Sequence, residues 1–278
     1  IHIHTNMTRK HAYEVAVNVY NELMSLGADI SMPVELKEHF EGLNVIFLDE
    51  DTAVALCDII IAIGGDGTIM HAAHFAAQHD KPILGINGGR LGFLAGLEKQ
   101  ELGLLSELFS GNYTTDKRMM LKVSHYSEDK KAGEYLCLND CIIARGASLR
   151  LSEIEATYNK GKINNFIADG IIVATPTGST AYSLSAGGPV VDPAIESLIL
   201  TPICTHSPLN RSFVFNENSE IMVKATNSTQ KICLSNDGDK SLELNSSFEI
   251  VIRQSKYYAE FIRIKSDEFF DILINKLT

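Results

Sequence analysis

Long apolar runs, positive charge and paired cysteines are all scarce in this chain, and each scarcity removes a class of function. No apolar segment approaches the ~20 residues that a membrane-spanning helix needs, and the first residues lack the pattern of a secretory leader. Lys and Arg number 24 against 35 Asp and Glu, a net charge of −11, whereas a nucleic-acid or anionic-membrane surface calls for a basic face. An anionic substrate must therefore meet local positive potential. The five cysteines, at positions 57, 137, 141, 204 and 233, are odd in number and mostly lie within apolar runs, which suits reduced thiols rather than a disulfide framework. Cys137 and Cys141 have no second Cys or His pair at matching spacing and read as core residues, and no dedicated metal-ligand cluster stands out. Internal repeats, low-complexity tracts and long linkers are absent as well. What remains is a 278-residue chain, 45% apolar, with enough material for one large or two ordinary domains. The expectation is a cytoplasmic protein with no membrane and no nucleic-acid partner.

The most informative stretch is Gly64-Gly65-Asp66-Gly67-Thr68, which follows the β-branched run from Asp58 to Ile63 and precedes a helical pattern. A run of that kind bounded by glycines reads as a buried parallel strand entering a tight turn and a helix. Backbone N–H groups at a helix start, with the positive end of the helix dipole behind them, bind phosphate, and glycine lets the backbone come close. Asp66 breaks that logic, because a carboxylate repels phosphate; it reads as a base for a hydroxyl or an indirect partner of Mg²⁺. Two better-known phosphate motifs fail here: position 70 is Met where a dinucleotide fingerprint needs glycine, and no Gly-Lys-Ser/Thr follows.

Strands and helices alternate up to about Gly111. A short strand at Ile1–His4, with Thr8 as an N-cap, precedes a helix from Ala12 that Gly27 ends. Strands at Asn44–Leu48 and Pro82–Ile86, and helices at Ala53–Cys57, 69–79 and Lys99–Phe109, complete the pattern. This alternation predicts a mostly parallel sheet covered by helices, with ligands beyond the carboxyl ends of its strands. A second glycine turn, from Asn87 to Gly96, falls at that edge and carries Arg90 and Phe93; Arg90 reads equally as a ligand contact or a solvated loop cation. Beyond Gly111 short strands joined by polar turns predict an antiparallel β domain: Tyr113–Tyr126, Tyr135–Ala144, Ser152–Tyr158, Ile171–Ala174, Leu198–Cys204, Glu220–Ala225, Lys231–Leu234, Phe248–Arg253 and Ala259–Ile264. The expected division is 1–112 for the α/β domain, 113–265 for the β-rich domain, and 266–278 for a helix returning to the first domain. Within the β domain, the stretch from Asp169 to Pro189 runs from a buried strand into small hydroxyl residues around Tyr182, which suits a flat polar ligand or else a loop and a small-residue helix.

Taken together, Gly64–Thr68, Asn87-Gly88 with Leu91-Gly92-Phe93-Leu94, Leu138-Asn139-Asp140, and Asp169-Gly170 through Ser179-Thr180-Ala181-Tyr182-Ser183-Leu184-Ser185-Ala186-Gly187-Gly188-Pro189 resemble bacterial NAD kinases over nearly the whole chain. The glycine–aspartate turn alone is shared with diacylglycerol-type lipid kinases and loosely with phosphofructokinases, whereas the Thr177-Gly178-Ser179-Thr180-Ala181-Tyr182 stretch is specific to NAD kinases. The resemblance implies phosphoryl transfer from ATP, or in some members polyphosphate, to the 2′-hydroxyl of the adenosine ribose of NAD. It implies Asp66 as base; Gly64, Gly65, Gly67 and Thr68 as phosphate contacts; and Mg²⁺ or another divalent cation arriving with ATP, with no protein metal site. For NAD it implies Phe93, Asn139, Asp140, Arg150, Asp169, Thr180, Ala181, Tyr182 and Ser185, and a site that draws on both domains. It further implies a homodimer or homotetramer. The chain departs from the family at Asp140, usually Glu; at Ser212 after Arg211, commonly Pro; and at Asp239 after Asp237-Gly238, commonly Gln. Two other readings share these residues: a lipid or sugar kinase using the same turn, and a dinucleotide sensor without chemistry, which would have no need of Asp66.

Overall fold

In the computed structural model, residues 9–11, 90–91, 147–149, 160, 207–209, 226–230, 240, 246, 266–268 and 278 lie outside the described part of the chain. The rest divides into two units: residues 1–117 with 257–278, and residues 118–256. The chain passes from one unit to the other at 117/118 and 256/257, inside the strands Thr114–Ser127 and Phe248–Arg263.

The first unit opens with β1 (His2–Thr5), α1 (Ala12–Ser25), β2 (Ser31–Pro33), β3 (Ile46–Leu48), α2 (Glu50–Leu56), β4 (Ile60–Gly64), α3 (Asp66–Gln78), β5 (Pro82–Asn87), β6 (Leu97–Glu98) and α4 (Ser106–Ser110). Its strand order is β3-β2-β1-β4-β5, all parallel, as the βα alternation predicts, and β6 also pairs parallel to β5. Every residue of β4 is buried, which explains a run of Ile with no polar alternation. The apolar face of α1 (Val15, Ala16, Val19, Leu23) packs into the same core as Ile61, Ile63, Leu84 and Ile86. Gly27, at φ 80°, ends that helical run as expected. Asp49 caps α2, its side chain accepting from the Thr52 N–H. The expected helix at 99–109 is instead a 3₁₀ turn at Leu102–Leu105 followed by the short α4, with Gly103 inside the turn.

The second unit is built from β7 (Thr114–Ser127), β8 (Lys130–Cys137), β9 (Asp140–Arg145), β10 (Ser152–Tyr158), β11 (Gly161–Ala168), β12 (Gly170–Ala174), α5 (Tyr182–Ser185), β13 (Ser197–Ile203), β14 (Phe213–Asn216), β15 (Ile221–Ala225), β16 (Ile232–Asn236), β17 (Leu242–Leu244) and β18 (Phe248–Arg263). One antiparallel sheet has the order β14-β13-β12-β9-β16-β17. A second antiparallel set pairs β11, β10, β15 and the first part of β18, and β7 forms a hairpin with β8. The expected Tyr135–Ala144 strand is two strands, because the backbone N–H groups of residues 138–140 turn to the Asp237 carboxylate. Conversely, the two strands expected at 248–253 and 259–264 are one, since the polar residues Gln254, Ser255 and Lys256 stay in extended pairing. Residues 257–263 of β18 return to the first unit, where Glu260 and Phe261 pair parallel with Pro82 and Ile83. The chain ends in α6 (Phe269–Leu277), also in the first unit.

Candidate active site

The strand-to-helix turn forms as the glycines predict: β4 ends at Gly64, Gly65 caps α3 in extended conformation, and Asp66 is the first helical residue. The first turn of a helix leaves backbone N–H groups without intrahelical acceptors, so the residues after Gly65 present donors at the carboxyl end of a parallel strand. The second glycine turn adjoins it, because Gly64 pairs in register with Asn87 and the Gly88 N–H donates to the Gly64 carbonyl at 3.2 Å. Asn87 is itself fixed: its amide donates to both Glu98 oxygens at 3.1 and 2.9 Å, and its side-chain oxygen accepts from Gly89 N–H at 3.0 Å.

Asp66 is held from three directions. Its Oδ2 accepts from Phe93 N–H at 3.1 Å and its Oδ1 from Leu94 N–H at 3.1 Å. Lys276 Nζ, on α6, reaches Oδ2 at 3.0 Å and lies 3.9 Å from the centroid of the Phe93 ring. The loop that supplies the two N–H groups is anchored in turn, since Arg263 donates to the carbonyls of Leu94 and Ala95 at 3.4 and 3.1 Å. A Cβ on Gly92 would overlap the Asp66 carboxylate, so this approach requires glycine. Phe93 therefore lies beside Asp66, as the sequence reading expected, whereas Arg90 falls outside the described residues. Sequence reasoning missed Lys276: the last segment carried a helical signal only, and nothing in it marked a partner 210 residues away.

In the second unit the Asn139–Asp140 pair sits where β8 gives way to β9. One carboxylate, Asp237, accepts the N–H groups of Leu138, Asn139 and Asp140 at 2.6, 2.8 and 2.9 Å. Asp140 is 4% exposed, and burial, followed by the charge of Asp237, pushes its carboxyl up to about 7. Thr175 locks the Thr-Gly stretch onto this corner, its N–H donating to Asn139 O at 2.8 Å and its hydroxyl to Leu138 O at 2.5 Å. Gly178 passes so close to the Asn139 backbone that any Cβ there would overlap it.

The hydroxyl-rich stretch divides by role. Ser179 exchanges hydrogen bonds with the Val191 backbone, and Ser183, Thr201 and Ser212 form a chain of hydroxyls 3.0 Å apart, so these groups serve the fold. Ser212, one of the departures from the family, thus continues a hydroxyl chain. Tyr182 is 45% exposed and Ser185 is also exposed, while Thr180 and Ala181 are half-buried. Asp169 pairs through Oδ1 with Arg145 Nε at 2.5 Å, and Arg150 lies on the surface. Beside the same turn, the buried Arg118 donates to Thr177 Oγ1 at 3.3 Å, a contact with no sequence signal. Cys137 and Cys141 are fully buried, and burial pushes both thiols up, which suits packing rather than reactivity.

Comparison with known proteins adds an independent line. Residues 1–113 match the family model of the ATP-NAD kinase N-terminal domain, and residues 138–264 that of the ATP-NAD kinase C-terminal domain. The NAD kinase of Caldanaerobacter subterraneus subsp. tengcongensis is 36% identical over 98% of this chain and 96% of its own length. That of Thermoanaerobacter sp. is 41% identical over 80% of this chain and 78% of its own. Among solved structures, yeast NADH kinase complexed with NADH has a TM-score of 0.90 at 25% identity, covering 99% of this chain and 86% of that one. An NAD kinase from Archaeoglobus fulgidus in complex with ATP has a TM-score of 0.75 at 26% identity, covering 99% and 97%. With both domain models matched and relatives aligned over most of their length, the chain belongs to the NAD kinase family.

Proposed function

We propose that the chain transfers the γ-phosphoryl group of ATP to the 2′-hydroxyl of the adenosine ribose of NAD, with Asp66 as general base. The observation that carries the assignment is the hydrogen-bond inventory of Asp66: a carboxylate has about four acceptor positions, and two backbone N–H groups and Lys276 occupy three of them. Among the described residues, one position, on Oδ1, is left for a hydroxyl. The ribose O–H proton moves to that oxygen as the new O–P bond forms and the bond between the γ-phosphorus and the β–γ bridging oxygen breaks, releasing ADP. Gly64, Gly65, Gly67 and Thr68 serve the phosphates through backbone and hydroxyl donors, and Lys276 supplies the positive charge that a chain of net charge −11 must concentrate locally.

Magnesium enters with the nucleotide, as part of the substrate. Mg²⁺ keeps several waters and is held largely by substrate phosphates, which supports its arrival with ATP. Asn139, Asp140, Asp169, Thr180, Ala181, Tyr182 and Ser185, with Phe93 and Arg150, recognise NAD in this reading. A buried carboxyl lacking backbone donors of its own gains hydrogen bonds when ribose hydroxyls reach it, which supports Asp140 in that role. The reading extends to a homodimer or homotetramer in the cytoplasm, which sedimentation equilibrium and fractionation test. The deciding experiment is NADP formation by the purified chain with ATP and with polyphosphate, against NAD and NADH. Formation of a 2′-phosphorylated dinucleotide supports the assignment, and its absence with every donor sinks it.

A further inference from the structure

His2 and His4 project from the same face of β1, two residues apart, toward the start of α2. His4 Nδ1 lies 2.8 Å from Glu50 Oε1, and the His4 ring stacks on His71 of α3 with centroids 5.3 Å apart. His2 is fully buried; its Nδ1 lies 3.1 Å from Ser31 Oγ, and its buried Nε2 has no hydrogen-bond partner among the described residues. One ligand atom each from His2, His4 and Glu50 falls within a sphere where all three lie within 4.8 Å of one another. No local pattern marks this set, because its third member is 46 residues from His4.

From this geometry we infer that His2, His4 and Glu50 form a binding site for a divalent transition metal of the zinc class. Three features carry it. An unpartnered buried ring nitrogen is destabilising unless something fills its lone-pair direction, and a metal ion does so. The Ser31 hydroxyl beside Nδ1 serves as the outer partner that metal-bound imidazoles use to fix their tautomer, leaving the Nε2 lone pair as the ligand. Two imidazoles and a carboxylate, with water as fourth ligand, suit Zn²⁺, Co²⁺ or Ni²⁺, whereas Mg²⁺ and Ca²⁺ prefer all-oxygen shells. Tetrahedral coordination with bonds of ~2.0–2.1 Å sets donors about 3.3 Å apart, a side-chain adjustment from the present spacing. Bound metal ties β1 to α2 and, through the His4–His71 stack, presses on the helix that begins at Asp66.

The test uses the tag-free full chain, stripped with EDTA and desalted, titrated with Zn²⁺ by calorimetry and with Co²⁺ by visible absorption. The expected result is one metal per chain, tetrahedral Co²⁺ bands, and a melting temperature raised by about 5–10 °C at a hundredfold excess over Kd. His2→Gln and Glu50→Gln should each abolish the bands, Ser31→Ala should weaken binding ~10–100-fold, and His39→Gln, at an exposed position, should change nothing. Because Glu50 sits at a partly exposed helix start, its variant stays informative if His2→Gln fails to fold. Absent Co²⁺ bands and melting shift in the wild-type chain, or binding that survives both Glu50→Gln and His2→Gln, would overturn the site.

Discussion

The two units each place a carboxylate at the point their motifs single out, and treat it in opposite ways. Asp66 is surrounded by donors: two backbone N–H groups and a lysine. Asp140 is buried beside a second carboxylate, and it is that neighbour, Asp237, which takes the three backbone N–H groups of the corner. A carboxylate held by donors is fixed in position and aimed, as a base requires. The other is desolvated and faced by like charge. In the proposed reading the first group serves chemistry and the second serves binding.

The sharpest way to break this contrast is Asp66→Asn. It should lower kcat by ~10² to 10⁴-fold while leaving NAD affinity intact, because the amide keeps size and polarity but cannot accept the ribose proton. Single-turnover rates beside calorimetric titration with NAD measure both; a near-normal kcat in the folded variant would remove Asp66 from the role of base.

Next in size is the pH dependence of Asp140. An unfolded Asp titrates at 3.8 and the folded group at about 7. Between those values the folded state holds a proton that the unfolded state has released. This carboxyl therefore costs nothing below pH about 4, lowers stability progressively as pH rises to about 7, and levels off above, by at most about 4 kcal/mol. Asp140→Asn should flatten that slope and raise the melting temperature at pH 8, yet weaken NAD by roughly 1.5–3 kcal/mol. Denaturant melts at several pH values check the first part; an unchanged slope would mean that Asp140 is not the titrating group.

Lys276→Met should reduce kcat about tenfold to a hundredfold, from loss of one charge-assisted hydrogen bond, with Lys276→Arg retaining most activity and KM for NAD little changed. Faster turnover in Lys276→Met would instead identify the contact as a brake on Asp66. The smallest effect is expected at Tyr182, which is 45% exposed. Tyr182→Ala should cost on the order of 1–3 kcal/mol in NAD affinity through lost stacking, with thermal stability unchanged. A large drop in melting temperature with normal NAD affinity would assign the ring to the core.

Sequence alone was enough for whatever depends on neighbouring residues. The β-branched run of β4, the glycines that let the chain turn into α3 and the parallel βα units around them are local and formed where their patterns pointed, whereas the helix expected at 99–109 and the strand ends expected within 135–144 and 253–259 did not. Asp66 and Tyr182 stand out by type and position in short stretches, whereas Asn139 and Asp140 are named only by what the family resemblance implies. Tertiary structure alone decided what each of them touches. Lys276 reaches Asp66 across 210 residues, Asp237 reaches Asp140 across 97, and Glu50 reaches His4 across 46. An apolar periodicity states which face of a helix is covered, but a charged side chain beyond that face leaves no periodic trace of its partner. The same limit hid the division among the hydroxyls of the Ser179–Ser185 stretch: composition counted them, and only packing against Val191 and Thr201 determined which serve the fold and which stay exposed.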